Sequence, residues 1–361
     1  MKDHSEIRFA IVGCGVIAPT HAAALSRIEG VKLVSVFDTN LTRATEFARK
    51  FDTETSPDSA ALFARDDIDV VSVCTPSGTH AALAIRAMNA GKHVIVEKPM
   101  EVTPEACDRI IEAQRNTGKL FTVISQHRWD RATQIVKDAI VMGKLGRILL
   151  ADATVKWFRK QSYYDSGDWR GTWEMDGGGA LMNQGVHTVD LLLWLAGEVE
   201  SITAKTRLAA HERIEVEDLA VALIEYKSGA VGTLTATTAT YPGFPVRIGI
   251  YGTEGSAVIE GDRLRALTLT NGETYTEEEA AAHALSVAQG GSASVEKEAQ
   301  TRETSADPGA VWGDSHQSQI EDFVQALRTG GSPLISAEEG KRAVEFVCSV
   351  YASAKRSSNE K

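Results

Sequence analysis

A lysine and a histidine held in apolar surroundings can trade protons with a hydroxyl group, and this sequence offers one of each beside a glycine cluster. Lys98 ends the run Val94-Ile95-Val96-Glu97-Lys98-Pro99, where a charged pair closes an apolar strand. In a partly dry cleft its ammonium can donate to a substrate hydroxyl, and a lowered pKa lets it pass protons. Taken alone, it reads as a surface lysine beyond a strand end. His187 sits in Gly177-Gly178-Gly179-Ala180-Leu181-Met182-Asn183-Gln184-Gly185-Val186-His187-Thr188-Val189-Asp190, with Leu191, Leu192, Leu193 and Trp194 beyond. From Ala180 onward, Leu181, Val186, Val189, Leu192 and Leu193 set an amphipathic helix, and Asn183 and His187, four apart, project from one face. Asp190, three further, is expected to orient the imidazole, and the three glycines let backbone or a ligand come close. A lone histidine on an apolar helix is usually a satisfied core residue, whereas three polar groups on one ridge behind Gly-Gly-Gly point to chemistry.

A second set of residues fits a dinucleotide. The strand Phe9-Ala10-Ile11-Val12 runs into Gly13-Cys14-Gly15-Val16-Ile17-Ala18, a G-x-G-x-x-A pattern. Gly13 permits the tight turn, Gly15 lets a pyrophosphate reach the backbone, and Ala18 allows the helix to pack closely on the strand. The N–H groups that open the helix then face the phosphates. Glycine pairs after strands also make plain turns, but Asp38 ends the second strand, Val34-Ser35-Val36-Phe37-Asp38, where an acid meets the adenosine ribose. That carboxylate repels the extra phosphate of NADP and favours NAD, while Arg43 on the next helix leaves NADP open. Thr75, Pro76, Ser77 and His80 leave another strand at the sheet edge where such folds bind ligands; they read equally as a nicotinamide ribose lining or as a loop with a helix-start cap.

The elements that must position these groups fall into two patterns. Residues 1–125 alternate short β-branched runs with helical stretches, which predicts a doubly wound parallel sheet, a dinucleotide-binding domain. Residues 126–361 begin with a bridging helix and continue as successive strands joined by turns such as Lys227-Ser228-Gly229, which predicts an α+β domain with a large, mostly antiparallel sheet. An open sheet face suggests a homo-oligomer, a dimer or tetramer. Residues 276–308, rich in Glu, Ala, Ser and Gly, read as a loop or insertion, and two amphipathic helices, Ser315 to Arg328 and Ala337 to Lys355, close the chain.

Composition narrows the partners. The 361 residues carry a net charge of −11, which repels nucleic acid and acidic membrane surfaces. No segment reaches the roughly 20 apolar residues of a bilayer span. The four cysteines lie far apart without a CxxC pair, and the N-terminus enters a strand directly, so a cytoplasmic protein without metal is expected.

Taken together, Gly13 to Ala18, Thr75-Pro76-Ser77 with His80, Glu97-Lys98-Pro99, Trp169-Arg170 and the Gly177 to Trp194 stretch resemble the Gfo/Idh/MocA family, named for glucose-fructose oxidoreductase and inositol dehydrogenase. The resemblance covers nearly the whole chain. It implies an NAD-dependent dehydrogenase acting on a CH–OH carbon of a sugar, sugar derivative or cyclic polyol, with cofactor and substrate between a Rossmann domain and an open-faced sheet domain. It implies further that Glu97 lies by the cofactor, that Lys98 binds the reacting hydroxyl, that His187 acts as acid or base, and that Trp169 and Arg170 approach the cofactor. Many relatives carry Asp at the position of Asn183; an amide cannot exchange protons, so Asn183 is left to position the substrate. Arg128, Trp129, Trp157, Tyr163 and Tyr164 are candidates for sugar contact through ring faces or charge, with core packing the default for each aromatic, and His316 is a weaker candidate for the pocket rim. The alternatives are an NAD-assisted glycosidase that oxidises, eliminates and restores its sugar, and a non-catalytic NAD or sugar binder.

Overall fold

The computed structural model describes residues 6–277 and 313–359, so the stretch 276–308 lies outside the described residues except for its first two positions. The first sheet is built from β1 (Ile7–Val12), β2 (Val31–Phe37), β3 (Glu54–Thr55), β4 (Val70–Val73), β5 (His93–Val96) and β6 (Phe121–Val123). Between them run α1 (Ala18–Leu25), α2 (Leu41–Phe51), α3 (Ser59–Ala64), α4 (His80–Asn89) and α5 (Pro104–Thr117). The strand order is β3-β2-β1-β4-β5-β6 and every pair is parallel. Such strands are covered on both faces, and accordingly β4 is buried at all of its residues. Local signals set the helix ends: Asn40 and Thr103 cap α2 and α5 through their side chains, Pro104 opens α5, and Gly118 closes it in the left-handed conformation. The strand order reverses between β1 and β4, so the loops of Gly13 and Thr75 flank the crevice where doubly wound sheets take ligands.

The chain then passes through α6 (Arg131–Val141), β7 (Ile148–Lys156), α7 (Gln161–Tyr164) and α8 (Val186–Ala196). Beyond these come β8 (Val199–Arg207), β9 (Leu219–Tyr226), β10 (Val231–Thr237), β11 (Arg247–Gly252), β12 (Gly255–Glu260) and β13 (Arg263–Leu269). They form a second sheet of order β13-β12-β11-β7-β10-β9-β8, antiparallel except where β10 runs parallel to β7. The long connection between those two strands permits that orientation, which a hairpin would not. On β9 the alternation is regular: Ala220, Ala222, Ile224 and Tyr226 are buried, while Val221 and Leu223 face outward. Leu150 and its neighbour Val231 on β10 are exposed on the same side, so the outer face of the sheet carries apolar side chains.

Helix α8 is buried nearly all round and packs against β7, β11 and the final helix, Ala337–Asn359, which also crosses β8 and α5. The helix Gly313–Thr329 returns to the first sheet and packs on α1, where Ile320, Phe323 and Val324 join the core of Phe9, Ile11 and Leu25. The chain therefore crosses the division expected at residue 125 a second time, because the apolar stripe of this helix finds its partner on α1. Among the described residues no helix is long and apolar enough to cross a membrane.

Candidate active site

At the end of β1, Gly13 adopts φ +92°, and a Cβ there would meet the Cys74 carbonyl oxygen at 2.6 Å, so both backbone and neighbours require glycine. Gly15 differs: a Cβ on it would have no heavy atom within 4 Å, and Val16 beside it is 69% exposed, with Ile17 half-buried. This open backbone before the α1 terminus fits a pyrophosphate. Asp38 accepts from the Cys14 N–H at 2.9 Å and the Asn40 N–H at 2.7 Å, and Arg43 lies 3.3 Å from it. The acid therefore fixes the glycine loop.

The neighbouring loop is held from within. Thr79 donates its hydroxyl to Pro76 O, which leaves the Thr75 hydroxyl to donate to Thr79 Oγ1 at 2.7 Å, and Ser77 is buried. His80 is fully buried, with its ring nitrogens 3.0 Å from Thr75 O and 2.9 Å from Pro99 O. Contrary to both sequence readings, it neither lines the crevice nor caps its helix through its side chain; it ties the Thr75 loop to the Lys98 loop. Glu97 is also a brace. It accepts from His21 Nε2 at 2.8 Å and from the Lys98 N–H at 3.1 Å, with His316 Nε2 at 3.7 Å. Burial opposes charge on both members, yet Cys74 and Glu97 push the His21 pKa up to about 10, and the two histidines hold Glu97 well below the usual carboxylate range. His316 is 1% exposed and belongs to this buried cluster, not to a pocket rim.

Lys98 reaches across to the second domain, where its Nζ donates to the Asn183 backbone carbonyl at 2.8 Å, one turn before His187. Burial lowers the Lys98 pKa, with Glu97 and Asp176 opposing. His187 has no hydrogen-bond partner among the described residues; burial, then His127 and Lys98, hold its pKa well below the ordinary value, so the imidazole is neutral. A half-buried, neutral imidazole without a hydrogen-bond partner among the described residues, within the field of a lysine, can accept a proton from a hydroxyl that the lysine orients.

Several expected contacts are arranged differently. Asp190 does not orient His187: both its oxygens accept from Arg128, at 2.9 and 2.5 Å. Arg128 in turn is 3% exposed, contacts Glu339 and lies over the Trp194 ring, so it is a buried strut and not a sugar contact. Two of the rings expected to receive a sugar, Tyr163 and Trp157, each have a guanidinium over one face, as does Trp169. Arg170 lies 4.3 Å from the Tyr163 centroid and 4.5 Å from that of Trp169, and Arg159 lies 4.9 Å from Trp157. The Tyr163 hydroxyl accepts from Arg170 at 2.6 Å and from Gln184 at 3.0 Å. Asn183 is committed at both ends of its amide, which donates to Asp176 and accepts from Gln184 Nε2 at 2.7 Å. Its carbonyl, not its side chain, meets Lys98.

Asp176, which the sequence reading passed over, is 1% exposed, and burial pushes its pKa up to about 6. A carboxyl group thus sits one hydrogen bond from position 183 although the residue there is an amide. Its place directly before Gly177 was the available signal. Helix α8 also begins differently from expectation, because Ala180–Gln184 form a π turn before the α-helical residues start. Glu217 anchors that turn by accepting from the N–H groups of Gly179 and Leu181 at 3.0 and 2.8 Å and from the Tyr351 hydroxyl at 3.0 Å. A separate open concavity, lined in part by Tyr164, Asp165, Arg170 and Arg213, includes neither Lys98 nor His187.

Two family models match the chain: an oxidoreductase family with an NAD-binding Rossmann fold over residues 7–125, and the GFO/IDH/MocA C-terminal domain over residues 133–258. The chain belongs to the Gfo/Idh/MocA family. The fold agrees: the WlbA dehydrogenase of Bordetella pertussis, solved with NADH and UDP-GlcNAcA, superposes with a TM-score of 0.82 at 32% identity over 97% of each chain. Two curated relatives are also similar. One is a 4-carboxy-2-hydroxymuconate-6-semialdehyde dehydrogenase of Sphingobium sp., 31% identical over 63% of this chain and 71% of its own. The other is a myo-inositol 2-dehydrogenase of Thermotoga maritima, 25% identical over 94% of this chain and 93% of its own. This Gfo/Idh/MocA protein is an NAD-dependent dehydrogenase, and NAD is its cofactor.

Proposed function

We propose that the enzyme transfers a hydride between NAD and a secondary carbinol carbon of a sugar, sugar derivative or cyclic polyol. The observation that carries this reading is the meeting of Lys98 Nζ with the Asn183 carbonyl beside the neutral, unpaired His187. The inositols, glucosides and UDP-GlcNAcA named for several relatives carry ring secondary alcohols and support the class, whereas the Sphingobium relative is named for a semialdehyde.

NAD, when bound, takes up the hydride from the carbinol carbon. Lys98 donates an N–H to the reacting oxygen and stabilises it as negative charge develops, while His187 accepts the hydroxyl proton. The reverse reaction reduces a ketone, with His187 donating. Gly15 leaves the backbone free for the pyrophosphate, Asp38 takes the adenosine ribose, and Trp169 with Arg170 approaches the cofactor from the second domain. Asp176 and Gln184 keep the Asn183 segment in register with Lys98. The exposed apolar face of the second sheet supports a homo-oligomer formed face to face.

The test is a panel of polyols, aldoses, glycosides and sugar acids followed by NADH absorbance, with Lys98→Met and His187→Gln on the best substrate. Each variant is expected to lose about 100- to 10,000-fold in kcat/KM while NADH still binds. Full turnover in either variant removes the assigned role, and no NAD reduction by any member of the panel removes the reaction.

A further inference from the structure

Among the described residues, the one aromatic ring stacked against His187 is that of His127, with centroids 5.0 Å apart and planes at 80°. His127 follows β6 in a short turn, Gln126–Trp129, and is restrained from three directions. Its Nδ1–H donates to Asp130 Oδ2 at 2.5 Å at the start of α6; Asp262 Oδ1, on the turn between β12 and β13, lies 3.7 Å away. Asp130 is itself fixed by the Ser315 hydroxyl from the helix Gly313–Thr329 at 2.5 Å. The groups acting on His127 by charge are Asp130, Asp262 and Asp190, against the cost of burial, and they push its pKa up to about 9. Those acting on His187 are His127, Lys98 and His316, with Glu97 the opposing anion. The first imidazole therefore carries charge in the range where the second does not.

We propose that His127 is a positioning residue for the reaction: a fixed positive charge whose ring, set edge-on against His187, keeps that imidazole oriented and neutral as the proton acceptor. This rests on the reading of His187 given above. Two unit charges 5 Å apart in a partly solvated protein interact strongly enough to move a titration by about one unit or more.

The experiment is proton NMR titration of His187 in the full chain, its resonance assigned by its absence from His187→Gln, in the wild type, His127→Gln, His127→Phe and Asp130→Asn. Both His127 variants are expected to raise the His187 midpoint by about one pH unit or more, and to move the acid limb of kcat/KM for oxidation upward by the same amount. Asp130→Asn keeps the ring but weakens its charge, and shifts His187 in the same direction. A purely space-filling ring predicts that Phe leaves the midpoint unchanged, and that result overturns the proposal. Because the NMR readout needs no substrate, the two readings fail separately. A moved midpoint with no turnover on any sugar or polyol upholds the coupling and ends the proposed carbinol reaction, whereas turnover with an unmoved midpoint does the reverse.

Discussion

Two glycine clusters precede helices in this molecule, and they serve opposite purposes. At residues 13–15 the first glycine is enclosed by the Cys74 and Thr75 backbone and side chain, but the second faces open space. At residues 177–179 every glycine is enclosed: an added Cβ would meet Val102 at 2.6 Å, the Tyr351 hydroxyl at 2.1 Å and the Glu217 carbonyl at 1.8 Å. The first cluster leaves room for a ligand, and the second lets protein close on protein so that the π turn can be gripped by Glu217. The sequence reading allowed a ligand at both. What separates them is the partner a methyl group would strike, and that partner comes from distant parts of the chain.

The contrast can be broken most decisively at Gly179. Gly179→Ala forces its methyl into the backbone of Glu217 and is expected to cost about 3 kcal/mol or more, lowering Tm by roughly 6 °C or more in thermal unfolding. An unchanged Tm would show that the second cluster has room after all. Gly15→Ala is expected to leave Tm within about 1 °C yet weaken NADH binding, followed by fluorescence, by about tenfold or more. A loss of stability with normal binding would invert the assignment.

A smaller effect sharpens the account of the grip on the second cluster. Burial raises the Glu217 pKa from 4.5 to about 7, against the N–H groups of Leu181 and Gly179 that favour its charged form. A folded-state pKa above the unfolded value contributes stability that is complete below about pH 4.5 and is lost as pH rises through about 7. Glu217→Gln removes this titration, so between pH 5 and 8 the variant is expected to lose less stability than the wild type, by up to about 3 kcal/mol in denaturant unfolding. Parallel pH profiles for the two proteins would show that the carboxyl does not titrate in this range.

The architecture was legible because its signals are local. Alternating strands and helices announce a parallel sheet, and Gly13, Gly15 and Asp38 fall in an order that only a strand-turn-helix-strand unit uses. Lys98 and His187 were legible as chemical types, but their approach across the domains depends on a contact between residues 85 apart. What escaped the sequence is pairing. Arg128 and Asp190 were each read toward the pocket, and a buried ion pair spanning 62 residues leaves no periodic trace. His80 and Glu97 were read as cofactor contacts because they border the Thr75 and Lys98 loops; both side chains are buried, His80 on the Thr75 and Pro99 carbonyls and Glu97 on His21. Asp176 and His127 went unread because each stands alone beside a stronger motif, with partners on other elements.

The bond from Lys98 to the Asn183 carbonyl has a mechanical side. It is a fastener between the end of the first sheet and the π turn that leads into α8, so the ammonium proposed to meet the substrate also ties the two domains together. One of its three N–H directions is spoken for, and only the other two remain for an incoming hydroxyl. Any replacement at this position therefore unhooks a joint as well as removing a reagent. Lys98→Arg, with its longer reach and rigid planar head, keeps the charge but changes the span of the joint.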